Sequence, residues 1–383
     1  MNQHYLLRPC PHFADCSGCV EQPGTYPIIW DAVQHFLKGE CLFELYQGEP
    51  TQWRYRAKMA VRGSSFHPLL GLFKRQSHEV INIPNCIVHH PKLNEAFENI
   101  RQWIMTNHLK PYQEKEGLGD IRYIQGVIER STGCVQLAIV INQTGKDLQQ
   151  VKKWQDCIHQ LKELYPDLWH SLWINWNAKN TNTIFGPQWT YVSGEKLLWE
   201  RFKKHLVCYH PASFGQANLD LFEHLLTHLK EMIFDKARVV EFYAGVGVIG
   251  LYLVSKCEWV RCSEVNPLAQ ICFEESKKQL EPMMAAKISF TSTSTQQALD
   301  LMKEATCVIV DPPRKGLDAL FFDALEQAKT VKQLFYISCG WEAFQRDYQI
   351  LKNLGWKILK VDGYLFFPGS SHIELLAHFQ RHS

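Results

Sequence analysis

The sequence predicts an α/β protein that ends in a doubly wound, Rossmann-like parallel sheet and begins with an α+β region. From about residue 206 onward, apolar strands alternate with amphipathic helices, which is the pattern of a sheet covered on both faces. A glycine-rich turn at residues 245–250 joins one of these strands to a helix. At 383 residues the chain is long for one core, so two or three domains are expected.

The glycine-rich turn predicts a nucleotide site. Gly245 and Gly247 allow the backbone to approach a ligand closely, because glycine has no side chain and tolerates unusual backbone angles. Glu264 lies 23 residues after Glu241 and ends the next predicted strand, where a carboxylate can bind the ribose hydroxyls of an adenosine. The same spacing serves methyl donors, nicotinamides and flavins, so the turn alone leaves the cofactor open.

A further strand, residues 307–310, ends in Asp311-Pro312-Pro313-Arg314. Two prolines cannot continue the hydrogen bonding of a strand, so they predict a stiff loop that projects Asp311 at the carboxyl end of the strand. Ligands of open α/β sheets bind at that end. The sequence therefore places Asp311 beside the nucleotide site.

Residues 335–338 predict a buried strand that ends at Cys339, and Glu374 follows 35 residues later. Gly340 comes next to the cysteine and allows its side chain to be exposed. A thiolate and a carboxylate base beside a bound methyl donor can methylate a carbon that is not itself nucleophilic. The alternatives are a cysteine that only packs and a glutamate at a strand edge.

The N-terminal cysteines predict a metal centre. Cys10, Cys16 and Cys19 lie within ten residues, flanked by proline and glycine that favour a loop, and Cys86 is the natural fourth ligand. Four thiolates bind either zinc or an iron-sulfur cluster, so their spacing leaves the metal open. Disulfides are not expected, because nothing indicates an oxidising compartment. We interpret eight others as packing residues: Cys41, Cys134, Cys157, Cys208, Cys257, Cys262, Cys272 and Cys307.

Residues 50–78 contain no acidic side chain but several basic and aromatic ones. Alternation over residues 53–62 predicts a strand with one basic face, to which Arg54, Arg56, Lys58 and Arg62 contribute. Such a face can meet phosphates while aromatic rings stack on unpaired bases. The alternative is an ordinary solvated strand face, and the formal net charge of +2 does not decide between them.

The central region predicts an antiparallel sheet with two helices. The pattern of residues 121–128 and 133–141 predicts a hairpin, and that of residues 172–176 predicts a further strand. Helical periodicity covers residues 92–107 and 147–164. The first residues lack the basic and apolar blocks of a signal peptide and the chain has no apolar stretch of roughly 20 residues, so we expect a cytoplasmic protein that does not bind membranes. We also expect a monomer.

The cysteine cluster, the glycine-rich turn, the Asp311 loop and the segments with Cys339 and Glu374 occur in one chain. Together these motifs resemble the family of iron-sulfur-containing, S-adenosylmethionine-dependent RNA uracil-5-methyltransferases. The resemblance covers nearly the whole chain. It implies a class I methyltransferase domain over residues 206–383 and a central α+β RNA-binding domain over 91–205. Residues 1–90 would supply the iron-sulfur loop and basic strands that face the RNA.

The resemblance also implies roles for individual residues. Cys339 would add to C6 of uracil, and Glu374 would remove the C5 proton after methyl transfer. Four cysteines, Cys10, Cys16, Cys19 and Cys86, would hold a 4Fe-4S cluster. S-adenosylmethionine would contact Gln216, Tyr243, Glu264 and Asp311, although Gln216 has a second reading as part of a helix cap.

The resemblance also bears on the substrate. The chain looks most like the 23S ribosomal RNA branch, without the N-terminal TRAM barrel of some relatives. Transfer RNA is the alternative substrate. The alternative functions are a dinucleotide-dependent oxidoreductase and an RNA-binding protein without efficient catalysis. Two departures bear on this: Gly340-Trp341 stands where Asn or Asp and then Pro is usual, and Gly369-Ser370 where His-Thr is common.

Overall fold

A computed structural model describes residues 9–181 and 183–381 of the chain. Its elements, in chain order, are α1 (Ile28–Leu37), β1 (Leu42–Tyr46), β2 (Arg56–Gly63), β3 (Pro68–Gly71), α2 (Pro91–Thr106), β4 (Ile121–Ile128), β5 (Val135–Ile141), α3 (Leu148–Leu164), β6 (Trp169–Trp176), β7 (Gln188–Gly194), β8 (Leu198–Phe202), β9 (His205–Tyr209), α4 (Leu219–Met232), β10 (Arg238–Phe242), α5 (Val248–Leu253), β11 (Trp259–Ser263), α6 (Pro267–Lys277), α7 (Pro282–Ala285), β12 (Ile288–Thr291), α8 (Thr295–Ala298), a 3-10 helix (Leu299–Glu304), β13 (Cys307–Val310), α9 (Ala319–Gln327), β14 (Gln333–Ser338), α10 (Trp341–Asn353), β15 (Lys357–Tyr364) and β16 (Glu374–Gln380). None of the described helices is both long and apolar enough to cross a membrane.

The chain divides into two compact units. The first contains the described residues up to Thr25, residues 49–198 and Pro368–Ser370. The second contains Tyr26–Gly48, Trp199–Phe367 and the described residues from Ser371 on. The three domains expected from the sequence, with boundaries after residues 90 and 205, stay a prediction about separately folding segments.

The first unit is built on a six-stranded sheet in the order β3-β2-β4-β5-β6-β7. The predicted hairpin and both predicted helices are confirmed, since β4 and β5 pair antiparallel and α2 and α3 match to within one residue. The prediction of an antiparallel sheet is wrong at one pair, because β5 and β6 run parallel. Helix α3 connects these two strands and returns the chain to the end of the sheet where β5 begins, so that β6 runs in the same direction.

Side-chain caps define where the two helices of this unit begin. Asp147 accepts hydrogen bonds from the N–H groups of Gln149 and Gln150, which satisfies two backbone donors of the first turn of α3. Pro91 opens α2, where its missing N–H costs nothing. Buried side chains of both helices, such as Trp103 and Ile158, join the apolar face of the sheet in one core.

The second unit is built on an eight-stranded sheet in the order β1-β15-β16-β14-β13-β10-β11-β12. Strands β14 to β12 in this order run parallel, and β16 is antiparallel to both of its neighbours. This is the predicted Rossmann-like α/β fold. The carboxyl ends of β10, β11, β13 and β14 and the start of β16 therefore meet at one edge of the sheet.

The outermost strand on one side of this sheet comes from the beginning of the chain. Strand β1 pairs in parallel with β15, so that Leu42 faces Lys360 across the ladder. Helix α1 contributes Trp30, Val33 and Leu37 to the core of the second unit. Gly363 makes room for this helix, because a Cβ atom there would lie 2.6 Å from the indole of Trp30.

Candidate active site

The glycine-rich turn follows β10 and opens α5. Gly245 and Gly247 have positive φ angles of 54° and 76°, which glycine adopts without the strain that a Cβ atom causes. Gly250 is required for a different reason, because a Cβ atom there would lie 2.7 Å from Cys262 Sγ and 2.8 Å from Glu241 Oε2. The turn thus brings the helix close against the buried strands.

A small cavity of about 40 Å³ lies beside this turn. Three of the four residues predicted to contact the cofactor line it: Gln216, Tyr243 and Asp311. The fourth, Glu264, accepts hydrogen bonds from the N–H groups of Gly245 at 3.2 Å and Asn266 at 2.9 Å. Its carboxylate therefore ties the loop after β11 to the glycine turn.

The segment with Gln216 is positioned by a helix cap. Asn218 is the N-cap of α4, and its side chain accepts a hydrogen bond from the N–H of Leu221 at 3.2 Å. The amide nitrogen of the same side chain donates to the carbonyl oxygen of Phe366 at 3.3 Å. The capping role thus belongs to Asn218, and Gln216 faces the cavity.

Glu241 is a site residue that was absent from the predicted set. Its buried carboxyl group accepts hydrogen bonds from the N–H of Gly250 at 2.8 Å and the thiol of Cys262 at 3.3 Å. Burial raises its pKa to about 8, so the group is mostly protonated at neutral pH. An acidic residue inside an apolar strand just before a glycine turn is the sequence signal for it.

Strand pairing brings the predicted nucleophile and base together. Strands β14 and β16 are antiparallel, and their last register pair joins Ser338 to Leu375. Continued by one residue beyond the end of β14, this register would put Cys339 opposite Glu374, and the Glu374 carboxyl group is near enough to raise the pKa of the Cys339 thiol. Residues 35 positions apart in the sequence thus become neighbours at the carboxyl edge of the sheet, where Asp311 follows β13.

The electrostatics of this edge favour protonated acids. Burial, together with the nearby carboxyl groups of Glu374 and Asp311, raises the pKa of Cys339 to about 11. Burial also raises the pKa of Glu374 well above its usual range, with Asp311 adding to the effect, and raises that of Asp311 to about 7. The guanidinium of Arg314 opposes the rise at both Cys339 and Glu374.

Helix α10 fixes the loop that carries Arg314. Asp347 is fully buried and accepts hydrogen bonds from the N–H of Leu317 and the hydroxyl of Tyr336, both at 2.8 Å. Arg346 donates to the carbonyl oxygen of Lys315 at 2.8 Å. The loop is therefore held from beneath by the helix that begins directly after the nucleophile.

The four N-terminal cysteines of the predicted metal centre line one cavity of about 110 Å³ in the first unit. Burial and, to a smaller extent, the neighbouring cysteines raise the pKa of Cys19 to about 11. Across residues 9–181 and 183–381, no three His, Cys, Asp or Glu side chains are grouped closely enough to hold a metal ion. The cysteines thus share a cavity without a preformed ligand cage.

An arginine holds the cysteine loop in place. Arg75 donates to the carbonyl oxygens of Cys16 at 3.0 Å and Phe13 at 3.2 Å, and also to that of Cys19. Its guanidinium stacks over the ring of Phe13, with 5.2 Å between the guanidinium carbon and the ring centroid. Residues 10–19 are therefore anchored independently of any metal.

The predicted basic face of β2 is only partly present. Lys58 is exposed, with its amine 4.6 Å from the ring centroid of Phe185. Arg62 is buried instead, where it pairs with Glu114 and donates to the carbonyl oxygens of Val61 and Arg122 at 2.8 Å. The prediction that Arg62 faces phosphates is therefore wrong, because carboxylate and backbone acceptors bind its charge inside the unit.

The fold and the edge of buried acids around Cys339 define a Rossmann-like methyltransferase. The chain belongs to the tRNA (uracil-5-)-methyltransferase family, whose sequence model matches residues 34–381. Family membership makes it an S-adenosylmethionine-dependent RNA (uracil-5-)-methyltransferase.

Relatives match the chain over nearly its full length. An uncharacterized RNA methyltransferase of Protochlamydia amoebophila is 46% identical over 373 residues, which make up 97% of each chain. Another, from Caldanaerobacter subterraneus, is 26% identical and covers 99% of this chain and 85% of its own. The crystal structure of Pyrococcus abyssi tRNA (uracil-54, C5)-methyltransferase with S-adenosyl-L-homocysteine has a TM-score of 0.74 at 21% identity, covering 91% of this chain and 81% of that one. This structural likeness confirms the fold.

Proposed function

We propose that this enzyme methylates C5 of a uridine in 23S ribosomal RNA through a covalent bond between Cys339 and C6 of the base. The observation that carries the proposal is the register of β14 and β16. It sets a thiol opposite a buried carboxyl group, at the same edge of the sheet as the glycine turn and Asp311.

The chemistry needs both groups because uracil C5 is a poor nucleophile. Cys339 attacks C6 as a thiolate, which moves the electron pair of the C5–C6 double bond toward O4 and makes C5 nucleophilic. S-adenosylmethionine supplies the electrophilic methyl group. Glu374 then removes the C5 proton, and elimination of the thiolate releases the methylated base.

The raised pKa of Glu374 suits the role of a base. In its carboxylate form, which the charge of Arg314 favours, a group with increased proton affinity takes up a proton from carbon more readily than an ordinary carboxylate. Arg314 balances the site by favouring the charged forms of both Cys339 and Glu374. It therefore belongs to the catalytic set that we propose, although the sequence indicated it only as part of the Asp311 loop.

The methyl donor binds at the glycine turn. Glu264 would accept hydrogen bonds from the ribose hydroxyls, while Tyr243 and Gln216 contact the cofactor from the walls of the cavity. Asp311 lies between this cavity and the Cys339 edge, so it helps to align the cofactor with the base.

Cys10, Cys16, Cys19 and Cys86 hold a 4Fe-4S cluster in this proposal. Support comes from their shared cavity and from their thiol chemistry, since four thiolates are the usual ligands of such clusters. Zinc uses the same donors and is the competing metal. Such a cluster would crosslink the N-terminal loop to residue 86 and would take no part in methyl transfer.

Transfer RNA is the second candidate substrate. The matched family model and the Pyrococcus abyssi relative both carry transfer RNA in their names. The resemblance of this chain, including residues 68–73, to the 23S ribosomal RNA branch of the family favours large-subunit ribosomal RNA. Both substrates present a uridine that must be accessible to the buried Cys339 edge, so the chemistry is the same.

Transfer of labelled methyl groups tests the function. Protein prepared without oxygen is incubated with tritiated S-adenosylmethionine and either protein-free 23S RNA or transfer RNA, and the modified nucleoside is identified. We expect label in 5-methyluridine of 23S RNA, and at least about a 1,000-fold loss with Cys339→Ala because the covalent route is removed. Label in transfer RNA alone would replace the proposed substrate, and label on neither RNA would contradict the proposal.

A mechanism-based trap separates the enzyme from a mere RNA binder. Fluorine at C5 of the target uridine blocks the final proton removal, so the Cys339 adduct accumulates. We expect a denaturation-resistant protein–RNA complex with 5-fluorouridine RNA and S-adenosylmethionine. Glu374→Gln should accumulate the corresponding methylated adduct on ordinary RNA, whereas a binding protein would form neither complex.

A further inference from the structure

Gly340 occupies an unusually crowded position. It directly follows Cys339. Its φ angle of −123° is open to any residue, so the backbone does not require glycine. Glycine is required by the lack of space, because a Cβ atom at Gly340 would lie 2.8 Å from the carbonyl oxygen of Arg314. The Arg314 loop therefore approaches the nucleophile strand more closely than a side chain at residue 340 permits.

The side chain of Arg314 is held on a second side by His372. The distance between Arg314 Nη2 and His372 Nε2 is 3.2 Å. Arginine remains protonated and donates, so Nε2 of the imidazole must accept. Burial and the charge of Arg314 lower the pKa of His372, which keeps the imidazole neutral and able to accept.

We infer that Gly340 and His372 are positioning residues for the guanidinium of Arg314. The glycine admits the arginine loop, and the imidazole orients its side chain. Together they hold a permanent positive charge where it favours the thiolate of Cys339. This inference rests on the proposed function, since it explains how a half-buried thiol beside acidic groups becomes a nucleophile.

Site-resolved alkylation tests the inference without requiring RNA. The rate at which iodoacetamide modifies Cys339 is measured between pH 7.5 and 10 by mass spectrometry of its peptide. Cys41 provides the reference in the same digest, because burial raises its pKa to about 11 as well. We expect His372→Ala and Gly340→Ala to slow modification of Cys339 at pH 8 by roughly three- to tenfold, as the thiol pKa rises by up to one unit, and to leave Cys41 unchanged.

Conservative and paired variants identify the positioning role. His372→Gln retains a side-chain acceptor for Arg314, so its rate should stay close to that of the wild type. Arg314→Ala should slow Cys339 by itself, and adding His372→Ala should then have no further effect. Ser371→Ala, an exposed neighbour, controls for general disturbance of the loop.

Two results would overturn the inference. One is an unchanged pH profile of Cys339 alkylation in both His372→Ala and Gly340→Ala. The other is additive slowing by His372→Ala and Arg314→Ala, which would mean that the imidazole acts on its own. Alkylation does not depend on methyl transfer, so the two proposals can fail separately. If the wild type methylates no RNA but the variants slow Cys339 alkylation as expected, the proposed function is contradicted and the inference stands.

Discussion

The carboxyl group of Glu241 is buried in the sheet next to the glycine turn, so its proton affinity changes when the chain folds. Its pKa rises from about 4.5 to about 8 in the folded protein because of burial. Between these pH values the unfolded chain binds fewer protons, so stability falls as pH rises and levels off above pH 8. Neutral glutamine at this position lacks that dependence.

We therefore expect the stability of Glu241→Gln relative to the wild type to increase with pH. The increase should be at most about 1.4 kcal/mol per pH unit from pH 5 to 8. Urea unfolding of both proteins at several pH values measures the difference. Two curves that stay parallel across this range would show that Glu241 does not keep its proton in the folded state.

Gly250 supports the second residue-scale prediction. Gly250→Ala would press a methyl group against the buried Cys262 and Glu241, so we expect a loss of about 1–3 kcal/mol of unfolding free energy. Gly48→Ala is the matched control, because its Cβ atom would meet only an atom 3.9 Å away. Thermal and urea unfolding of the two variants provide the comparison, and equal stabilities would contradict the close packing described for α5.

At the scale of elements, helix α10 connects the nucleophile to the Arg314 loop. Asp347→Asn keeps the size of the side chain but weakens its hydrogen bonds with Leu317, Tyr336 and Arg346. We expect kcat for methyl transfer to fall roughly tenfold while KM for S-adenosylmethionine stays constant, because the loop is displaced and the glycine turn is not. Steady-state kinetics check this, with Asp323→Asn, an exposed change on α9, as control. A change in KM alone would assign Asp347 to cofactor binding.

Some elements follow directly from local sequence and others depend on distant partners. Helices α2 and α3 were predicted to within a residue because their apolar periodicity is complete within each segment. The parallel pairing of β5 and β6 was missed, since strand direction depends on the crossover and not on the strand residues. Likewise, the local sequence of β1 does not indicate its partner, because β15 lies at the other end of the chain.

The site shows the same division. Cys339 and Asp311 are recognisable because each follows an apolar strand and precedes glycine or proline, whereas Glu374 opens the strand β16. Their meeting at one edge depends on β16 running antiparallel to β14, which residue patterns alone do not predict. The burial of Arg62 was missed for a related reason, because Glu114 and the Arg122 carbonyl come from elsewhere in the unit.

At the scale of the whole molecule, the proposed cluster predicts a local effect of metal loss. Iron and sulfide should be present in equal amounts in protein purified without oxygen, with little zinc. Cys86→Ser should reduce the iron content and make residues 10–25 more sensitive to protease, because the crosslink to this loop is lost. Cys134→Ser, at a cysteine outside the cavity, should change neither property. Zinc in place of iron would contradict the proposed metal.

The pairing of β1 with β15 also governs how the chain is assembled during synthesis. The first unit's residues 49–198 are inserted between two parts of the second unit. Strand β1 leaves the ribosome early and stays unpaired until almost the entire polypeptide has been made. A fragment that starts at Trp199 would lack both β1 and the apolar face of α1, leaving β15 as an exposed edge strand. Removing the N-terminal residues therefore opens the catalytic sheet to aggregation, although every proposed catalytic side chain remains in the fragment.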